Sequence, residues 1–209
     1  MRIDRAAWPF VGGAVLLGFV LGAAVSWIVG APVVLLAGFF LFFFRDPTRH
    51  SPAGDEIVLS PADGEVKVAG IAMPDTAPQG AWRQVSIFLS PMDVHVNRIP
   101  ASGRITSVTY KPGRFLPAYR HDAGRANERS EIWIDHHGQA VVTRQIVGFL
   151  ARRVVCRVAA GADVRAGDRF GIMKFGSRMD VFLPENAEIL VTVGEMVRGG
   201  ETIIAVLHS

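Results

Sequence analysis

The hydrophobic positions of this chain fall into two regimes. From Trp8 to Val29 the sequence is apolar and carries no charge. Gly30-Ala31-Pro32 interrupts it, and Val33 to Phe44 is apolar again, ending Phe39-Phe40-Leu41-Phe42-Phe43-Phe44 ahead of Arg45. A helix needs about 20 apolar residues to span a bilayer core. The first stretch meets that length and the second is short. Gly-x-Pro is a helix-breaking signal, so the pattern predicts a helical hairpin turning at residues 30–32, its second arm tilted into the interface. Arg2 and Arg5 precede the hairpin, and Arg45 and Arg49 follow it. Positive charge at both ends favours both on the cytoplasmic side. A cleaved signal peptide is the alternative, with Arg2 and Arg5 as its basic start and Ala23-Ala24 near the cut. A second apolar block directly behind argues against it. A buried core hairpin is another alternative, and an aromatic run with no polar face favours membrane contact over it.

After Arg45-Asp46-Pro47 the period changes. Short runs rich in Val and Ile recur between Gly, Pro and Asp, at 57–60, 65–71, 84–89, 104–110, 131–135, 140–147, 154–158, 170–174, 180–183, 188–193 and 202–207. Their length and composition predict strands of a sandwich or barrel. Residues 117–129 are polar and contain glycine, and read as a loop; a loop that long inside a compact domain is often a binding loop or lid. Ala162-Asp-Val-Arg-Ala-Gly-Asp168 and Gly194-Glu-Met-Val-Arg-Gly-Gly-Glu201 are related turn phrases, each before a hydrophobic strand. They resemble the turns of lipoyl- and biotinyl-type barrel-sandwich domains, a hint about fold and not about function. The expectation is a mainly β chain (β-rich α+β): a hydrophobic helical hairpin over 1–48 and a barrel-sandwich-like catalytic domain over 49–209.

Charge narrows the partners. The 209 residues carry 22 Lys and Arg against 19 Asp and Glu, a formal charge of +3, with pI near 9.5. That balance suits an anionic membrane surface. Without a Lys/Arg run it is too weak to argue for nucleic acid. The single cysteine, Cys156, excludes an intrachain disulfide and a cysteine-rich metal site, and reads as a small buried hydrophobe. The six histidines show no metal-ligand spacing; His136-His137 stands before Gly138 in a hairpin turn. No metal is expected.

Three phrases carry candidate chemistry: Ser60-Pro-Ala-Asp-Gly64, Leu89-Ser-Pro-Met-Asp-Val-His-Val-Asn-Arg-Ile-Pro100 and Lys174-Phe-Gly-Ser-Arg-Met-Asp-Val-Phe-Leu-Pro184. Each has an ordinary reading. Pro-Ala-Asp-Gly is a turn, His95 in a strand-like run is a hydrogen-bonded structural histidine, and most Gly-Ser pairs are turns. The hydrolase elbow G-x-S-x-G is absent around Ser177. Gly176-Ser177 permits other chemistry, because glycine tolerates strained backbone conformations. The Ser177 hydroxyl can attack the Gly176 carbonyl in an N→O acyl shift. β-Elimination of the resulting ester leaves dehydroalanine, and its hydrolysis leaves a pyruvoyl group on the new N-terminus.

Taken in order, the three phrases resemble the phosphatidylserine decarboxylase family in its short form. Phe44-Arg45-Asp46-Pro47 and Asn127-Glu128-Arg129 fit as well, so the resemblance covers nearly the whole chain. It implies a proenzyme that cuts itself at Gly176–Ser177 into residues 1–176 and 177–209, which remain together as a heterodimer, with higher homo-oligomers open. It implies that Ser177 becomes a pyruvoyl group forming a Schiff base with the amine of phosphatidylserine in the membrane. Loss of CO₂ would then yield phosphatidylethanolamine, with no metal or external cofactor. It further implies a Ser-His-Asp set of Ser177, His95 and Asp63, with Asp63 orienting the imidazole. One departure is plain: longer members carry H-x-x-H after the Ser-Pro phrase, where this chain reads His95-Val-Asn-Arg98. Arg98 is then either a phosphate or carboxylate partner or a solvated strand arginine. Residues 115–129 are expected to rim the headgroup, with Arg120, Arg125 and Arg129 as phosphate contacts or exposed charges. Two other functions compete. One is a non-enzymatic membrane adaptor. The other is a membrane serine peptidase using Ser177 with Lys174, a pair that would point to opposite faces of a strand.

Overall fold

The computed structural model describes residues 1–118, 120, 122–148, 154–174 and 177–208. The chain divides into two compact units, Met1–Thr48 and Arg49–Ser209.

In the first unit, β1 (Arg2–Ile3) leads through a 3₁₀ turn into α1 (Trp8–Ala24) and α2 (Trp27–Phe43), and β2 (Arg45–Asp46) returns to pair with β1. Asp4 caps the 3₁₀ turn, its carboxylate accepting from Ala6 N at 2.9 Å. The helical hairpin forms, but its turn lies at Val25-Ser26 and not at residues 30–32. Ser26 is extended (φ −170°, ψ 157°) and its carbonyl accepts from the amides of Val29 and Gly30. Pro32 sits inside α2. It removes one amide donor there without ending the helix. Gly30 serves as a contact instead of a breaker. A Cβ on it would meet Gly22 N at 2.6 Å and Gly22 Cα at 2.7 Å. Small residues at such points let two backbones approach closely. Leu16, Ile28 and Leu35 face outward, 68%, 87% and 75% exposed, so the hairpin shows hydrocarbon to its surroundings. The helical segment Arg5–Ala24 is long and apolar enough to cross a membrane, and Trp27–Phe43 is shorter.

The second unit is built from antiparallel strands: β3 (Ile57–Leu59), β4 (Gly64–Ile71), β5 (Trp82–Leu89), β6 (Val96–Arg98), β7 (Gly103–Lys111), β8 (Arg129–His136), β9 (Gln139–Val147), β10 (Val154–Cys156), β11 (Asp163–Val164), β12 (Arg169–Met173), β13 (Ser177–Pro184), β14 (Glu188–Ile189), β15 (Met196–Val197) and β16 (Ile203–Val206). Eight of them form one sheet in the order β11-β7-β8-β9-β13-β5-β4-β15, curled into a half-barrel. Two smaller sheets, β10-β12-β6 and β14-β16-β3, complete the β-rich fold. Between residues 117 and 129, expected as loop, the single turn α3 (Ala123–Ala126) forms.

Side chains alternate along a strand, and directly paired residues share a face. On β13, Met179, Val181 and Leu183 point inward. They join Val85, Ile87, Leu89, Ile132 and Ile134 of the neighbouring strands, and Val58, Phe170, Met173 and Ile204 of the small sheets, in the main core. Arg178, Asp180 and Phe182 take the opposite, outer face. That face is also covered: Phe182 and Val142 pack with Ala72, Ala77, Trp82 and Trp133. A sheet buried on both sides reads as nearly continuous hydrophobic runs, which is why β5 and β9 stood out in the sequence.

Ile132 is 1% exposed in the main core, whereas Ile71 on β4 is 82% exposed. Ile132→Ala is expected to cost about 2–5 kcal/mol. Ile71→Ala should stay within about 0.5 kcal/mol. Urea unfolding of the two variants side by side, followed by tryptophan fluorescence, measures both.

Candidate active site

The three sequence phrases meet at one end of the central strands. β4 begins at Gly64, whose φ of +148° and lack of a side chain let its backbone press on Phe88; a Cβ there would lie 2.9 Å from the Phe88 carbonyl carbon. Asp63 is therefore fixed beside the end of β5. Leu89, the last residue of β5, pairs with Ser177, the first of β13, and Ser177 pairs on its other side with Val147. From Leu89 the chain passes over residues 90–94 to the small sheet, where His95 O accepts from Met173 N at 3.1 Å. The expected cleavage bond is Gly176–Ser177. Gly176 is outside the described residues, so only its Ser177 side can be placed.

Ser177 is fully buried, on the inner face of the sheet, and its Oγ makes no hydrogen bond among the described residues. A buried hydroxyl without a partner is costly, and an oxygen in that state is available for chemistry. His95 is also fully buried. Its Nδ1 lies 2.9 Å from the Asp93 carbonyl, an acceptor, so Nδ1 carries the proton and Nε2 the lone pair. The Ser-Pro-Met-Asp phrase builds this arrangement. Asp93 Oδ2 accepts from Ser90 N at 2.7 Å, and Ser90 Oγ accepts from Met92 N at 3.2 Å, closing a turn that presents the Asp93 carbonyl to the ring.

Asp63 does not orient the imidazole as the resemblance implied. Its Oδ1 accepts from Gly199 N at 2.8 Å and its Oδ2 holds Arg49 at 2.6 Å. A main-chain carbonyl takes the place of the carboxylate at Nδ1. Two polar side chains that the sequence did not single out share the inner face: Gln145 Nε2 donates to Asn97 Oδ1 at 2.8 Å. Gln145 pairs with Met179, two residues from Ser177 on the same face. Its inward phase was the available signal, and phase cannot be read from a run that is apolar on both faces.

Comparison with known proteins fixes the family. Residues 36–205 match the family model described as phosphatidylserine decarboxylase. The phosphatidylserine decarboxylase proenzyme of Paramagnetospirillum magneticum is 41% identical, over 99% of this chain and 88% of its own length. The one from Gluconacetobacter diazotrophicus is 44% identical over 98% and 94%, and that of Symbiobacterium thermophilum 43% over 97% and 94%. The chain belongs to the phosphatidylserine decarboxylase family.

Within a phosphatidylserine decarboxylase fold, the departure at position 98 acquires a structural explanation. Arg98 is neither solvated nor open to a ligand phosphate. It is 6% exposed, its Nη1 donates to Gly167 O at 3.0 Å, and its stem lies over Gly200, where a Cβ would meet Arg98 Cδ at 2.6 Å. It ties together the two turn phrases that looked alike in the sequence. Arg49, expected only as a flanking charge, bridges Asp63 and Glu201, the latter at 2.8 Å. Burial alone would lower the Arg49 pKa, but the bonds to Glu201 and Asp63 outweigh it and raise the pKa. The hydrogen bond from Arg49 holds the Glu201 carboxyl below its ordinary range.

Of the expected headgroup rim, residues 119 and 121 lie outside the described residues. Arg120 is exposed and paired with Asp122 at 2.9 Å. Arg125 and Arg129 line a cavity with Arg144 and Glu131. Arg129 pairs with Ile146, and Ile146 with Arg178, which puts them on the face opposite Ser177. Buried ion pairs occupy that outer face: Arg178 with Asp180 at 2.8 Å, and Arg144 with Glu131 at 2.5 Å. Burial would raise the Glu131 pKa; Arg144 and the Trp133 N–H overcome it, and the net shift is downward. His136 and His137 occupy the expected hairpin turn, His137 at φ 51°. Asp55 joins them from a distant segment, with ligand atoms within 4.8 Å of one another, a grouping that spacing alone did not reveal. Asp55 already holds His137 at 2.9 Å, and His136 Nδ1 bonds Ser102 O at 2.7 Å.

Glu201 gives a pH prediction with a definite sign. A carboxyl whose folded pKa is depressed adds stability above its unfolded pKa and loses it as pH falls through the folded value. Arg49→Ala should return the Glu201 pKa upward toward the ordinary carboxylate range, so the acid-dependent loss of stability from this group shrinks. Carbon-detected NMR titration of Glu201 in the two proteins reads the shift. An unchanged Glu201 titration would rule out the bridge as its cause.

Proposed function

We propose that this chain decarboxylates phosphatidylserine to phosphatidylethanolamine and CO₂, using a pyruvoyl group that it makes from Ser177 by cutting the Gly176–Ser177 bond. The observation that carries this reading is the buried Ser177 hydroxyl, without a hydrogen-bond partner among the described residues, at the point where the Asp63, His95 and Ser177 phrases converge. The names of its relatives describe proenzymes acting on this lipid.

The chain's own residues divide the work. Ser177 Oγ attacks the Gly176 carbonyl, and His95 Nε2, with its lone pair set by the Asp93 carbonyl, takes the hydroxyl proton. The Gly176–Ser177 C–N bond breaks as the C–O bond forms, and the Ser177 nitrogen receives a proton. Elimination across Ser177 Cα–Cβ releases Gly176 as a carboxylate. Addition of water and loss of ammonia convert Ser177 to the pyruvoyl group, whose ketone serves as electrophile and electron sink for the decarboxylation. The setting fits such a group: it would replace a side chain already enclosed, on the inner face of a central strand. Asp63 acts as a positioning residue, holding Arg49 and the Gly199 amide around the site's edge.

The cut products stay together for a mechanical reason. Strand β13 supplies eight residues and pairs on both sides with strands from the N-terminal piece. β16 pairs with β3, and β15 with β4. Separating 177–209 from 1–176 would dismantle the large sheet. The hairpin attaches the enzyme to its lipid substrate. Arg2, Arg5 and Arg45 at its open end favour the cytoplasmic side for both termini.

Intact mass of the C-terminal piece tests the reading directly. A pyruvoyl-blocked residue 177 is expected, and a free serine amine there would sink it. Ser177→Ala should run as a single uncut chain on a denaturing gel. His95→Ala should process about 10²–10⁴-fold more slowly, the usual loss of a general base. Asp63→Asn keeps an acceptor for Gly199 N and should process faster than Asp63→Ala; equal rates would remove the positioning role.

A further inference from the structure

The outer face of the large sheet holds a cavity of about 590 Å³ whose charged lining is predominantly cationic: Lys111, Arg125, Arg129 and Arg144, against the carboxylates of Asp75 and Glu131. Glu131 is already committed. Its Oε2 takes Arg144 and its Oε1 accepts from Trp133 Nε1 at 2.8 Å. That leaves three cations facing the exposed Asp75. Lys111 and Arg129 are directly paired across β7 and β8, so two like charges share one face of the sheet, an arrangement that destabilises a strand pair. Arg129 is further unsatisfied. Its Nη1 donates to the carbonyls of Arg125 and Asn127, but its Nε is buried and makes no hydrogen bond among the described residues. Burial, and next the charge of Arg144, push the Arg129 pKa downward, and the charge of Glu131 offsets them only in part. An anion would answer each of these features: it would accept from Nε, offset the opposed charges and lower the cost of the buried guanidinium.

We propose that this cavity binds a phosphate oxyanion between Lys111, Arg125 and Arg129, on the face of the sheet opposite Ser177. Guanidinium forks match phosphate geometry, and a lysine adds a mobile point charge. The cavity has room for more than a bare phosphate, which fits a phosphate ester. Both a soluble phosphate ester and a phospholipid headgroup have this chemistry. The site does not depend on the reaction assigned to Ser177.

Calorimetric titration of the full chain in detergent, at constant ionic strength set with chloride, tests the proposal. The probes are inorganic phosphate, glycerol 3-phosphate and short-chain phosphatidylglycerol. Saturable binding of at least one is expected, weakened tenfold or more by Arg129→Gln and by Lys111→Gln, and unchanged by Arg120→Gln. Thermal unfolding provides a second measurement. Phosphate should raise the melting temperature of the parent and leave that of Arg129→Gln unmoved, while Arg129→Gln without phosphate should melt no lower than the parent. Binding of all three probes alike assigns a soluble phosphate, and binding of the lipid alone assigns a headgroup. Ser177→Ala should bind as the parent does, which separates this site from the reacting centre. No saturable binding, binding indifferent to both Lys111→Gln and Arg129→Gln, or binding lost in Ser177→Ala would overturn the proposal.

Discussion

The pairing of β13 between β5 and β9 is the constraint on which the second unit depends. An antiparallel strand paired on both sides has no freedom of register, because a one-residue slip would exchange its two faces. Here the exchange would carry Met179, Val181 and Leu183 out of the main core and drive Arg178 and Asp180 into it. The register that buries the aliphatic set also sends Ser177 inward and holds it against Leu89 and Val147. Packing and chemistry are thus fixed by the same ladder. Ser177 is held by hydrogen bonds formed along a whole strand.

The same alternation accounts for the outer face. Residues one position out of phase with the core must also be buried, since residues 72–82 and the region around α3 cover them. Charges there survive only as pairs. Arg178–Asp180 and Arg144–Glu131 meet that condition, with Gly124 admitting Arg178 where any side chain would collide. At Lys111 and Arg129, which share Glu131 with Arg144, compensation is only partial, and there the fold leaves a cavity. The contrast between a neutralised and a partly neutralised stretch of one surface is what gives that cavity meaning.

Much of the fold was legible in the residues. Strand runs showed because Val and Ile cluster between turn residues, and the hairpin showed because no charge interrupts it. The hairpin's turn was misplaced because Gly30 and Pro32 look like breakers in sequence. In the structure Gly30 is a helix–helix contact and Pro32 is accommodated inside α2. β13 was foreseen only from residue 180. The polar Ser177 and Arg178 concealed the first three residues of the strand, where Arg178 is satisfied by Asp180. Of the site, Ser177, His95 and Asp63 were visible as phrases. Their hydrogen-bond partners were not: the Asp93 carbonyl has no side-chain signature, and Gly199 and Arg49 lie 136 and 14 residues from Asp63 in the chain.

That last point bears on how the site is assembled. A carboxylate at Nδ1 would stabilise a protonated imidazole, whereas a carbonyl fixes the tautomer with a weaker charge effect. The Nδ1 of His95 faces the Asp93 carbonyl, so the main chain sets its tautomer. Asp63, relieved of that task, joins Arg49 and Glu201 in a bridge between the start of the second unit and its last turn phrase. The bridge is an ionic tie between residues 152 positions apart in the chain, and it closes the second unit from its first residue to its last turn phrase.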